Sequence, residues 1–187
     1  ENLRLSHMNR RRVDAEVLRD SMLLAGGRLD RRPGGPSVAP GTKSEFDYRY
    51  DTARRSVYVP VFRNELHDAF ELFDMADPNL VGGRRNTSTT ATQALYFMNS
   101  PFVMECARAA ARRLLSERHP GRDATIDAAY RRILGRFPSE TERRLAGEFL
   151  DESLPAEAGG ASDEACLDAW GRFHQALFAC IDFRYIE

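Results

Sequence analysis

The strongest constraint on this chain is the recurrence of apolar residues at helical spacing through most of its second half. Phe102, Val103, Cys106, Ala110 and Leu114 follow Ser100-Pro101, a pair suited to the cap and first position of a helix, where proline forfeits no intrahelical hydrogen bond. Ile126, Tyr130, Ile133, Leu134 and Phe137 repeat the pattern. Ser139 and Glu142 then have the spacing of a capping box ahead of Leu145, Phe149 and Leu150. A last helix is expected to show Leu167, Trp170, His174, Leu177, Phe178 and Ile181 on one face, with Cys166 and Cys180 both within it.

The first half is punctuated more heavily. Val13, Val17, Leu18, Met22, Leu24 and Ala25 predict a helix after Asp14 that stops at Gly26-Gly27, and residues 31–41 hold three prolines and three glycines, which demands a loop. Phe46, Tyr48 and Tyr50, then Val57, Val59 and Val61, alternate with other residues on either side of a turn-like Asp51-Thr52-Ala53-Arg54, so they read as a β-hairpin, with Pro60 placing its strand at an edge. Asn64 is a candidate cap for a helix carrying Leu66, Ala69, Phe70 and Phe73, and Thr89 or Thr90 for a short one through Leu95 and Met98. The expected fold is therefore mainly α: a multi-helix domain with a small β-hairpin between the first and second helices. Residues 1–187 are expected to form a single domain, a piece of a longer protein, with a flexible connection near 154–162.

Composition narrows the classes of function. With 42% hydrophobic and 29% charged residues among 187, the chain resembles an ordinary globular domain, and no run approaches the ~20 apolar residues of a membrane span. The net charge of −1 and the lack of a known recognition module argue against nucleic acid, despite Arg10-Arg11-Arg12. Charge is nevertheless uneven, because residues 138–187 hold 11 acids against 4 arginines. Cys106, Cys166 and Cys180 are an odd count, so three buried thiols are expected rather than a disulfide framework, although a bridge from Cys106 stays open. His7, His67, His119 and His174 are dispersed without metal-ligand spacing, and no Cys-x-x-Cys-His is present to attach haem.

The densest polar chemistry lies in residues 54–99. Residues 82–90 read GGRRNTSTT and run into a predicted helix, where exposed N–H groups, hydroxyls and guanidinium groups suit an anion. Arg54, Arg55, Asp74, Asp77, Arg84, Arg85, Asn86, Thr89 and Thr90 are the candidate ligand-binding residues. Asp74 and Asp77, at helical i, i+3 spacing, could also act as acid and base, but the bland alternative is that these acids pair with the arginines and clasp the loop. No metal set is expected, and no catalytic residue stands out.

Several runs together resemble one family. RRVDAEVLRD at 11–20, GRLD at 27–30, GGPSV at 34–38, RRSVYV at 54–59, Phe73-Asp74 with Asp77, and Arg84-Arg85 occur in order, followed by QAL at 93–95 and MNSPFV at 98–103. AYRRILGR at 129–136 and the terminal Trp170, Gln175-Ala176-Leu177 and Phe183-Arg184-Tyr185 complete a succession similar to the planctomycete-specific PSD domain of unknown function. Ala91 stands where similar sequences often carry proline. The resemblance implies the C-terminal part of an exported, extracytoplasmic protein with a cytochrome-c-like companion domain. Haem would then sit in that companion and not in this chain. The other domains of the same protein, or an anionic or glycan ligand, become the expected partners. A docking or binding module, a contributor of Arg55, Asp74, Asp77 and Arg84 to a composite redox or hydrolytic site, and a purely structural domain are the three functions left to compare.

Overall fold

The computed structural model describes residues 6, 8–154 and 163–186. The expected connection at 155–162, and His7, lie outside the described residues. The chain is mainly helical, with one small antiparallel two-stranded element. In order come β1 (Arg11–Arg12), α1 (Ala15–Ala25), two 3-10 turns (Glu45–Asp47 and Ser56–Tyr58), α2 (Asp68–Leu72), α3 (Ala91–Asn99) and α4 (Pro101–Ser116). Then follow α5 (Arg122–Leu134), α6 (Glu140–Ser153), α7 (Asp163–Ala179), α8 (Ile181–Arg184) and β2 (Tyr185–Ile186).

The helical class is as expected, but the strands are elsewhere. β1 and β2 bring the two ends of the described chain together, pairing Arg11 with Ile186 and Arg12 with Tyr185. The alternating runs at 46–50 and 57–61 form no hairpin, and each 3-10 turn lies at the run it replaces. The reason is a competing set of partners. The Ser44 hydroxyl accepts from Phe46 N–H and starts the first turn, while Ser56 N–H and Oγ donate to Asp20 of α1 at 2.9 and 2.6 Å. Arg19 Nη1 donates to Arg54 O at 3.0 Å, and Nη2 reaches Thr52 O. With these backbone groups satisfied from α1, a ladder has less to offer, and Pro60 could not have joined one with an N–H.

The core forms where α4 and α7 pack along each other. Ala107, Ala110 and Ala111 bury their small side chains there, and a Cβ on Gly171 would stand 3.7 Å from Arg108 Cα, so the backbones approach closely. Trp170 and Phe173 meet edge-on at 5.6 Å, with Tyr130 and Phe149 stacked around Phe173. His174 is fully buried on the same helix as expected, its Nδ1 2.7 Å from Trp170 O, and burial lowers its pKa to about 4. Gln175 joins α3 to this core by donating to Phe97 O and Met98 O, two carbonyls at the helix C-terminus, each at 2.9 Å.

Most of the local signals act as their chemistry requires. Ser139 and Glu142 form the capping box, Pro101 is the first residue of α4, and Ala91 begins α3 although it is not proline. At α2, Asn64 does not cap, since its amide donates to Glu45. His67 Nδ1 accepts from Ala69 N–H at 3.1 Å instead and shortens the expected helix. Cys180 ends up between α7 and α8, outside the helix of Cys166, and Ile181 is half-exposed rather than part of the buried face. All three cysteines are free, although only Cys106 is fully buried, and burial pushes its thiol up to about 11.

The uneven charge is spent inside the fold. Arg108 of α4 pairs with Glu164 and Asp168 of α7, Arg122 with Asp151, and Arg136 with Glu142 and Asp182. The acid-rich end of the chain thus meets arginines contributed by earlier segments.

Candidate functional site

The residues nominated in 54–99 separate into distinct arrangements. Helix α2 ends at Leu72, and Asp74 adopts φ of +61°, the left-handed region that few residues other than glycine enter without strain. Asp74 and Asp77 are therefore not one helical i, i+3 pair. Asp77 instead accepts from Asn79 N–H at 2.8 Å in its own turn. Asp74 accepts from Ser88 N–H and Ser88 Oγ, both at 2.8 Å, and from Arg12 Nη1 at 3.0 Å. Burial alone would raise its pKa, but the Ser88 donors and the Arg12 guanidinium outweigh that and hold the carboxyl below its ordinary value.

This clasp extends on both sides. Arg12 lies over the Phe73 ring at 5.6 Å and also donates to Ser88 O, so β1 is fastened to the loop before α3. Gln93 of α3 donates to Leu72 O at 2.8 Å and to Ser88 Oγ at 3.2 Å. Arg85 makes a bidentate pair with Glu16 of α1, both contacts at 2.7 Å. Arg54 holds the glycine-rich loop through Pro36 O at 2.7 Å and Gly34 O, and it lies 4.6 Å from the centre of the Tyr58 ring. Thr90 is the N-cap of α3 by position, but its hydroxyl is shared with Thr92 and caps no N–H. Among the described residues, the side chains of Arg55, Arg84, Asn86 and Thr89 are in no hydrogen bond or ion pair.

A larger concavity opens elsewhere. A groove of about 740 Å³ runs between α1, the end of α5 and the paired chain ends. One wall is the stripe Val17, Ser21 and Leu24 of α1, at i, i+4 and i+7. Val17 and Leu24 are 50% and 51% exposed, because Leu18, Met22 and Ala25 are the residues that turn inward. Ile133, Leu134 and Ile186 extend the apolar lining.

Four guanidinium groups, Arg10, Arg113, Arg132 and Arg136, line this groove with a single carboxylate, Asp182. Asp182 accepts from Arg10 at 3.2 Å and from Arg136 at 2.6 Å. Arg136 also grips Glu142, and that contact, opposed by burial and aided by Ser139, lowers the Glu142 pKa to about 2. Arg132 spends Nη2 on Glu117 at 2.7 Å, and its Nη1 has no partner. Arg113 donates through Nη1 to Leu24 O at 3.2 Å and is in no ion pair among the described residues.

Sequence reasoning missed this groove because its charges come from separated segments and no short motif contains them. The available signal was that Val17 and Leu24 lie off the face defined by Leu18, Met22 and Ala25. No group of three or more histidine, cysteine, aspartate or glutamate side chains is arranged to hold a metal among the described residues. No helix is long and apolar enough to cross a membrane.

The family model described as PSD1, protein of unknown function (DUF1553), matches residues 1–150. The matched span holds the clasp and four of the groove's arginines, whereas Asp182 and β2 lie beyond it. No curated protein and no solved structure matches the chain.

Proposed function

Starting from the fact that this chain belongs to the PSD1 family of proteins of unknown function, we propose that it is a docking module of a longer, exported protein. The groove beside the paired chain ends is its docking face. The observation that carries this reading is the coexistence of half-exposed Val17, Leu24 and Ile186 with four arginines in one groove of about 740 Å³. Apolar surface left open on a helix that is otherwise well buried supplies area, and guanidinium groups at its margin supply orientation. In this proposal the other domains of the same protein are the partners, the location is extracytoplasmic, and any haem belongs to a companion domain.

The clasp supports the same division of labour. Asp74 already accepts from Ser88 and Arg12, and Arg85 is committed to Glu16, so these residues serve the loop's position. Arg55 and Arg84 are the exposed guanidinium groups left for an anionic or glycan ligand in residues 54–99. A composite redox or hydrolytic site would have to use Asp74 without its Ser88 and Arg12 contacts, which makes it the weaker reading.

Ser21→Trp in the full-length protein would fill the groove, with Arg84→Ala as the comparison. Association of this chain with the separately expressed remainder of that protein, followed by calorimetry, is expected to weaken at least ~10-fold in Ser21→Trp, about 1.4 kcal/mol, with an unchanged melting temperature. Loss in Arg84→Ala with normal association in Ser21→Trp would move the site back to the 84–90 loop.

A further inference from the structure

Resting on the docking reading, we infer that the occupant of the groove is an extended, acidic polypeptide segment that carries apolar side chains beside its carboxylates. The inference starts from which guanidinium groups are already neutralised. Arg10 and Arg136 share Asp182, and Arg136 has Glu142 as well, so that end of the groove is internally balanced. Arg113 and Arg132 differ. Arg113 touches only a carbonyl oxygen, and Arg132 leaves Nη1 without a partner after binding Glu117. Both line the groove opposite no carboxylate of their own side, and carboxylates on an occupant would complete them in the bidentate geometry that guanidinium favours.

The preference for an extended segment comes from the chain ends. β2 pairs with β1 on one side only, in a sheet of two strands, and Tyr185 and Ile186 both line the groove. A third strand laid beside β2 would gain main-chain hydrogen bonds from that open edge, and alternate side chains would point toward α1. There they would meet Val17 and Leu24, whose 7-residue separation on α1 spans about 10.5 Å. That length matches about three residues of extended chain. Apolar residues alternating with acids would therefore place one set on α1 and leave the other set for Arg113 and Arg132.

The test uses the 187-residue chain and three fluorescent octapeptides, alternating Glu-Val, Ser-Val and Lys-Val, with binding read by anisotropy at low and at 0.15 M salt. The Glu-Val peptide is expected to bind at least 10-fold more tightly than the Lys-Val peptide, and to lose that advantage in Arg113→Glu. Arg113→Gln, which keeps a donor for Leu24 O, is expected to lose part of it while the melting temperature holds. Val17→Glu is expected to weaken the Glu-Val and Ser-Val peptides alike. Equal binding of the acidic and neutral peptides, abolished by Val17→Glu, would overturn the acidic assignment and leave the docking groove standing. Binding of none of the peptides, or binding indifferent to both Arg113 and Val17, would overturn the inference, and the Ser21→Trp experiment then judges the docking role separately.

Discussion

Residues 26–90 and residues 91–186 are held in place by different physics. The later region is a helical assembly built by burial: Phe97, Val103, Leu114, Ile126, Leu150 and Phe178 are almost completely enclosed, and small residues let α4 and α7 approach. The earlier region has only five residues of α-helix, in α2, and keeps its course because side chains of β1 and α1 reach out to its backbone. Arg19 binds the segment around the second 3-10 turn, Asp20 binds Ser56, Arg12 and Asp74 bind Ser88, and Arg54 binds the glycine-rich loop. Apolar contact is nondirectional and tolerates adjustment, whereas each of these guanidinium contacts fixes a particular carbonyl. The lesson is that an irregular stretch can be as definite as a helix when a few buried donors account for its carbonyls.

The largest expected effect is on pH, and it touches both regions. His67 caps α2 in the earlier region, and His174 lies in the core of the later one. Burial lowers both to about 4, with Arg19 adding to the effect at His67. An unfolded histidine titrates near 6.5, so between 6.5 and 4 the unfolded chain binds protons that the folded chain refuses. Stability is thus full above about 6.5, falls as pH drops through this window, and levels off below about 4, by on the order of 3 kcal/mol for each histidine. Urea titrations at pH 7 and pH 4.5 measure the total. His67→Gln and His174→Gln apportion it between the regions, and a pH-independent midpoint would remove both assignments.

Phe178→Ala strikes the burial-built region alone. The ring is fully enclosed and stacks 4.9 Å from Phe183. A cost of about 4 kcal/mol is expected, as one cooperative shift in denaturation midpoint. Arg19→Met is the counterpart in the other region. It keeps apolar bulk against Phe102 but leaves Thr52 O and Arg54 O without their donor. About 3 kcal/mol is expected, together with faster proteolysis within residues 44–58 under conditions where the helices persist. If Arg19→Met instead loosens the helices and the loop equally, the contrast between the two regions fails.

The smallest effect is expected at Asp74. Asp74→Asn keeps a side chain that tolerates the left-handed backbone but weakens the charge-assisted contacts to Arg12 and Ser88, for about 1 kcal/mol. Asp74→Ala also removes the acceptor altogether and is expected to cost about 2 kcal/mol. Hydrogen exchange at residues 84–90 should report both before the global melting temperature does. The reverse order would mean that strain at φ of +61° is relieved by a smaller side chain.

Legibility differed in the same way as the physics. Helices α4 to α7 could be read because their signals are local: a proline at the first position, a capping box, and apolar residues at helical spacing. The runs at 46–50 and 57–61 could not, because alternation says only that a segment offers two faces, and the donors that bent it into 3-10 turns belong to Arg19 and Asp20 of a distant helix. His67 took the cap from Asn64 because its imidazole nitrogen was in reach of Ala69 N–H, a fact of geometry and not of propensity. The candidate site was half legible. Asp74 and the 84–90 loop do meet, yet their partners Arg12 and Glu16 lie 62 and 69 residues away from Asp74 and Arg85.

By itself, the sequence determined the mainly helical class, most helix starts, and a family membership that rests on an ordered series of runs over residues 1–150. Each of these follows from local spacing or local identity, which a one-dimensional reading preserves. Only the tertiary structure decided that the chain ends pair as β1 and β2, and that Val17 and Leu24 line a groove rather than the core. It also decided that the acids of the last 50 residues mostly answer arginines from elsewhere in the same chain. Those outcomes depend on which groups come within a few ångströms after folding, and charge or apolar character in sequence does not specify the partner that arrives.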